Sequence, residues 1–248
     1  MKLTPPQPDC DPHHNTIDQS APHPNGYNAL IQPLLLVFLA ALLALVFAAL
    51  SSEVMEGETR SFDMYLLHWA QALRVGHPGL ADVMRDLSGM GSAVVLTLVI
   101  GATAGYLVLT AARATALLVL ASALSGTLLV SLFKAAFGRL RPALAYADFL
   151  VPSLSFPSGH ASMSAVVYLT LGALIAGTRP RLAQRAYIVT AAALMTMLVG
   201  LSRVALGVHW ATDVLGGWAF GTAWAIIWLL LARRIEGPPK HPTAAPGS

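Results

Sequence analysis

The sequence predicts an all-α protein, a six-transmembrane-helix bundle with a polar segment at each end. Three observations predict it. Of the 248 residues, 56% are hydrophobic and 11% are charged, where a soluble domain carries about 25% charged residues. Mean hydropathy is +0.64. The apolar residues fall into long runs at 30–50, 92–111, 114–133, 161–177, 186–204 and 213–232. A run of about 20 apolar residues crosses the hydrocarbon core as a helix. These runs are apolar all round, whereas the strands of a membrane barrel alternate.

Residues 1–29 are polar, rich in Pro, His and Asp, and lack the charged-then-apolar layout of a signal peptide. They read as a disordered tail, which makes 30–50 a retained first span. Cys10, the single cysteine, lies in this tail and excludes an intrachain disulfide. His13 and His14 read as tail residues, not as a metal site. Residues 51–91 form a long connection. Within it, FDMYLLHWAQAL has apolar residues at helical spacing, as in a helix lying in the membrane interface. Tyr65 and Trp69 suit that boundary, and His68 and His77 read as interfacial polar groups.

The second and third spans turn around Arg113. The fourth is the shortest and contains Ser162, Ser164 and Thr170, but no charge, so it still counts as a span. A short loop, 177–185, leads to the fifth. After the sixth, EGPPKHPTAAPGS reads as a flexible end. The expected organisation is therefore a tail over 1–29, one membrane domain over 30–232, and a tail over 233–248.

Six spans put both tails on one side. Arg179, Arg181 and Arg185 crowd one short loop on that side, and Arg233 and Arg234 flank the last span. Basic residues close to span ends mark the cytoplasmic face. Both tails are therefore expected in the cytoplasm. The net charge of +3 comes with no basic block, which argues against a nucleic-acid partner.

Three segments carry unusual residues for a membrane domain: KAAFGRLRP (134–142), FPSGH (156–160) and SRVALGVHWATDVLGG (202–217). Counting antiparallel spans places all three on the face opposite the tails. Lys134, Arg141 and Arg203 then converge at one bundle mouth. Arginine binds phosphate through a planar fork and lysine as a point charge; each alone also fits a side chain snorkelling to headgroups. Ser158 and Pro157 suit a helix start. The same geometry offers N–H groups to an anion, with Gly159 allowing close approach. His160 is not needed by a cap. His209 and Asp213 are four apart and share a helix face. A carboxylate on one ring nitrogen fixes the tautomer and leaves the other as a nucleophile. Two histidines and an aspartate could ligate zinc, but three nearby cations oppose a divalent ion and supply its charge stabilisation. The expectation is chemistry without a metal or other cofactor.

The pattern Lys134-x6-Arg141-Pro142, Pro157-Ser158-Gly159-His160 and Ser202-Arg203-x5-His209-x3-Asp213 resembles the type 2 phosphatidic acid phosphatase (PAP2) superfamily. It comprises lipid phosphate phosphatases, undecaprenyl-diphosphate phosphatases and vanadium haloperoxidases. The resemblance spans roughly 30–232 and implies a PAP2/haloperoxidase-like catalytic core. It implies that His209 attacks phosphorus and forms a phosphohistidine, and that Asp213 orients it. It implies that His160 protonates the leaving oxygen and then activates water. Lys134, Arg141, Ser158, Gly159 and Arg203 would hold the phosphate oxygens. The haloperoxidase branch is soluble, and this chain is not. A site at the membrane boundary fits a lipid phosphate entering from the bilayer: phosphatidate, phosphatidylglycerophosphate or undecaprenyl diphosphate. The expected location is a bacterial inner membrane with the site on its outer face. The alternatives are a phosphotransferase using the same intermediate, and a non-enzymatic protein that binds or transports phosphate lipids.

Overall fold

A computed structural model describes residues 26–143, 147–148 and 153–236. Most of the two expected tails lies outside these residues. The architecture is all-helical among the described residues, with six helical segments long and apolar enough to cross a membrane. The protein is an integral membrane protein. In chain order the helices are α1 (Gly26–Glu56), α2 (Arg60–Gly76), α3 (Pro78–Gly89), α4 (Ala93–Leu109) and α5 (Arg113–Phe137). Then come α6 (Gly159–Ser164), a π turn (Ala165–Leu169), α7 (Thr170–Gly177), α8 (Leu182–Ala205) and α9 (Ala211–Glu236).

The first span exceeds its apolar core: α1 runs from Gly26 to Glu56. It exposes Leu34, Leu35, Phe38 and Leu45, the side chains that lipid solvates. The second span is longer than its apolar run because α3 precedes α4, and together they cover Pro78–Leu109. Met90, Gly91 and Ser92 separate them, and Ser92 caps α4 by accepting from the Val95 N–H at 3.3 Å. The fourth span is α6, the π turn and α7 in continuous succession, Gly159–Gly177. Its polar residues are explained by burial, since Ser162 and Ser164 are fully buried and Thr170 nearly so.

The segment expected to be an interfacial helix is α2, and one of its faces is buried in the protein. Phe62, Tyr65 and Trp69 are exposed, while Asp63, Leu67 and Ala70 are buried. Positions 63, 67 and 70 share one face by the i, i+4, i+7 spacing. That face packs on α8 and α9, so α2 carries a carboxylate into the protein.

Lipid tails are as apolar as leucine, so helices in a bilayer associate through close packing of small residues. Here Gly217 and Gly221 of α9 sit one turn apart against Ala161, Ser162 and Ala165. A Cβ on Gly221 would lie 2.3 Å from the Ser162 carbonyl oxygen and 2.7 Å from the Ala165 Cβ. This contact locks the starts of α6 and α9 together. Gly221→Ala is expected to force the helices apart and to cost about 1–3 kcal/mol, as overpacking does. Thermal unfolding in detergent measures it, and an unchanged midpoint contradicts it. Below the same helix starts, Phe47 of α1 stacks on Phe156 at 5.7 Å and lies 5.0 Å from Phe133 of α5. This aromatic cluster includes Phe137 and Phe220 and supports the loop that carries Pro157 and Ser158.

Candidate active site

The three segments do converge, and the helix order explains how. α5 ends where α6 begins, and α8 ends where α9 begins, all at one end of the bundle. Gly138, left-handed at φ +60°, terminates α5 and turns the chain towards 139–142. Gly207 at φ +69° makes the turn between Arg203 and His209; both conformations suit a residue without a Cβ. The Ser158 N–H donates to the Asp213 carbonyl at 2.9 Å, joining the second segment to the third.

At the centre are His209 and Asp213, 1% and 0% exposed. His209 Nδ1 lies 3.1 Å from Asp213 Oδ2. The other ring nitrogen, Nε2, lies 3.0 Å from Arg141 Nη1. A carboxylate only accepts and a guanidinium only donates. One tautomer satisfies both neighbours: Nδ1–H donates to Asp213 and Nε2 accepts from Arg141. Burial pulls the His209 pKa down from 6.5 to about 3, against the opposing pull of Asp213. The imidazole is therefore neutral at physiological pH, with its Nε2 lone pair turned towards the cations.

The cations are placed by neutral oxygens. Lys134 Nζ donates to the Leu154 carbonyl at 2.5 Å and the Ser155 carbonyl at 3.4 Å. Arg141 donates to the Val208 carbonyl at 2.5 Å, the Ser153 carbonyl at 2.6 Å and Ser153 Oγ at 2.8 Å. Burial lowers the Arg141 pKa, and Asp213 partly offsets this. Arg203, 3% exposed, donates to Ser88 Oγ at 2.5 Å. Lys134 lies in the fields of both Arg141 and Arg203. Among the described residues, neither Lys134 nor Arg141 is paired with a carboxylate.

Ser158 starts α6, but its hydroxyl does not cap the helix. Its Oγ is buried and has no hydrogen-bond partner among the described residues. Such a group costs free energy unless something else satisfies it. Gly159 follows, and a Cβ there would lie 4.0 Å from Lys134 Cε. His160 lies within electrostatic reach of Arg203, His209, Arg141 and Lys134. With Arg203 it lines a cavity of about 370 Å³ that continues to Ser88, Gly89 and Ser92 at the α3–α4 junction. All eight residues expected at the site thus lie at one end of the bundle.

Four further residues complete the surroundings and were not singled out by the sequence. Ser155 Oγ donates to Asp213 Oδ2. Ser88 holds Arg203. Arg139 bridges Asp213 and Asp63. The sequence held one signal for this last pair: an acidic residue on the apolar face of α2.

Residues 114–236 match the family model described as the PAP2 superfamily. Phosphatidylglycerophosphatase B of Bacillus subtilis (strain 168) is 34% identical over 189 residues, covering 72% of this chain and 87% of that protein. A solved structure is described as the first transmembrane PAP2 type phosphatidylglycerolphosphate phosphatase from Bacillus subtilis. It superposes with a TM-score of 0.71 at 28% identity, covering 82% of this chain and 98% of that one.

Proposed function

Because this chain belongs to the PAP2 superfamily and is an integral membrane lipid phosphatase, we propose that it hydrolyses a lipid phosphate or diphosphate through a phosphohistidine on His209. The observation that supports this reading is the opposition of two features. A neutral, Asp213-braced imidazole points its Nε2 at Arg141. Lys134 lies in the fields of Arg141, Asp213 and Arg203, and the Ser158 hydroxyl is buried without a partner among the described residues. Phosphoryl transfer spreads charge over three equatorial oxygens, so positioning and electrostatics supply most of the catalysis. An arriving phosphate oxygen replaces Nε2 as the Arg141 partner, exchanging a neutral acceptor for an anionic one. Charge-assisted hydrogen bonds are about twice as strong as neutral ones.

In the first step His209 Nε2 forms a bond to phosphorus, the bond from phosphorus to the lipid oxygen breaks, and His160 gives that oxygen a proton. The imidazolium formed is stabilised by Asp213. In the second step water attacks phosphorus, His160 takes its proton, the P–N bond breaks and inorganic phosphate leaves. Arg203, Lys134, Ser158 and the Gly159 backbone hold the oxygens throughout. The cavity beside His160 gives the leaving group its place. The name of the Bacillus relative makes phosphatidylglycerophosphate the first substrate to test. Arg179, Arg181, Arg185, Arg233 and Arg234 lie close to span ends at one side of the chain; by the positive-inside rule this supports a cytoplasmic position for that side and a site on the outer face of a bacterial inner membrane.

A panel of phosphatidate, phosphatidylglycerophosphate and undecaprenyl diphosphate, compared by phosphate release in detergent, tests the reading. Release is expected from at least one of them, with phosphatidylglycerophosphate fastest. It is expected to persist in excess EDTA, because the cations take the metal's role, and to be inhibited by vanadate. Activity lost to chelation and restored by a divalent ion contradicts the metal-free mechanism. Transfer of phosphate to an added alcohol in place of water would assign a phosphotransferase.

A further inference from the structure

We propose that Arg139 and Asp63 are positioning residues that brace the nucleophile: Asp63, carried in by α2, fixes Arg139, and Arg139 fixes Asp213. The inference rests on His209 acting as proposed above. The Asp213 carboxylate has two roles divided between its oxygens. Oδ2 accepts from His209 Nδ1–H, from the Trp210 N–H at 2.9 Å and from Ser155 Oγ. Oδ1 accepts from Arg139 Nη1 at 2.6 Å. The second guanidinium nitrogen, Nη2, donates to Asp63 Oδ2 at 2.6 Å. Asp63 in turn accepts from the Thr212 N–H at 3.0 Å and from Thr212 Oγ1 at 2.8 Å. It therefore holds the backbone one residue before Asp213.

Arg139 differs in kind from the cations that face the phosphate site. It is engaged by two carboxylates and lies 5.5 Å from the centre of the Trp210 ring. Its charge is used within the protein, so it is not a phosphate ligand. The planar fork matters, because one lysine ammonium cannot meet two carboxylates with the same fixed geometry. With Oδ1 clamped, the carboxylate cannot rotate, and Oδ2 stays turned towards His209, Trp210 and Ser155. Asp63 lies outside residues 114–236, the part matching the family model. The brace therefore joins the membrane-surface helix to the catalytic core.

Two consequences separate this role from a structural one. Losing the fork misdirects His209 without removing any phosphate ligand, so kcat falls while KM and inhibition by inorganic phosphate hold. Losing the charge of Arg139 also leaves Asp213 uncompensated, which favours protonation of His209. The charged and titratable groups facing His209 are Asp213, Arg141, Arg203 and His160; changing Arg139 replaces none of them and reaches His209 only through Asp213.

The test uses the full-length protein in detergent, with lipid phosphate as substrate and inorganic phosphate as the ground-state probe. Arg139→Lys and Arg139→Gln are each expected to lower kcat on the order of 10- to 100-fold, as lost supporting hydrogen bonds do. KM and the phosphate inhibition constant stay near wild type. The acidic limb of the kcat/KM profile moves to higher pH in Arg139→Gln and stays in place in Arg139→Lys. Asp63→Asn keeps the Arg139–Asp213 pair and decides the matter if Arg139→Gln does not fold: it too lowers kcat with KM unchanged. Wild-type kcat in Asp63→Asn, or equal loss of phosphate affinity in the variants, overturns the proposal. His209→Ala is assayed alongside. An active His209→Ala overturns the phosphohistidine reading, whereas an inactive one beside an unaffected Asp63→Asn overturns only the brace.

Discussion

His209→Ala is expected to lower lipid-phosphate hydrolysis on the order of 10⁴-fold or more, the scale on which loss of a nucleophile acts. The side chain is 1% exposed, so its loss also leaves a small cavity, and the variant is expected to fold with a lower unfolding midpoint. A second effect follows from its pKa of about 3 in the folded protein. The unfolded histidine binds a proton below about pH 6.5, while the folded one stays neutral. The unfolded state therefore holds more protons between these values, and the stability present above pH 6.5 is lost as pH falls towards 3. His209→Ala removes this contribution, so its unfolding midpoint declines less steeply across that window than the wild type's. Phosphate release and thermal unfolding measured against pH check both halves. Undiminished turnover in the variant contradicts the nucleophile assignment.

His160→Gln is expected to lower hydrolysis of an alkyl phosphate by about 10²- to 10⁴-fold, the usual contribution of a positioned acid or base. The residue lies in the first turn of α6, lines the cavity with Arg203 and lies within the field of His209. Its proposed work in the first step is protonation of the leaving oxygen. An alkoxide needs that proton far more than a nitrophenolate does. The variant's loss is therefore expected to be clearly smaller when the first step is followed with nitrophenyl phosphate. Equal losses on both substrates would reassign His160 to phosphate binding. Because the second step also uses His160, the phosphorylated intermediate is expected to last longer in this variant.

The convergence of 134–142, 157–160 and 202–217 was legible from the sequence because it follows from the parity of antiparallel spans. The pairing of His209 with Asp213 was legible because an i, i+4 spacing fixes a shared face. Ser158 had two compatible sequence readings, cap and anion ligand; in the structure its hydroxyl does not cap α6 and has no hydrogen-bond partner among the described residues. The role of Asp63 was not legible, although its place on the apolar face of an amphipathic helix set it apart. Its helix shows an amphipathic period that suits a bilayer surface, and only packing on α8 and α9 reveals that one polar residue lies on the buried face. Arg139 was hidden by its neighbours, since three cations within nine residues look alike until their partners are known. The α3 helix and the π turn were missed for a simpler reason: hydropathy reports what lipid can solvate, not where helical hydrogen bonding begins or changes register.

Hydrolysis through His209 requires a covalent bond between this histidine and phosphorus. Its most direct test is rapid alkaline quenching of the enzyme with a lipid substrate radiolabelled at the terminal phosphate, in wild type, His160→Gln and His209→Ala. A phosphoramidate survives alkali and breaks in acid. An alkali-stable, acid-labile label is expected on the peptide containing His209, enriched in His160→Gln and absent from His209→Ala. Wild-type turnover with no label, or a label that persists in His209→Ala, contradicts the covalent step.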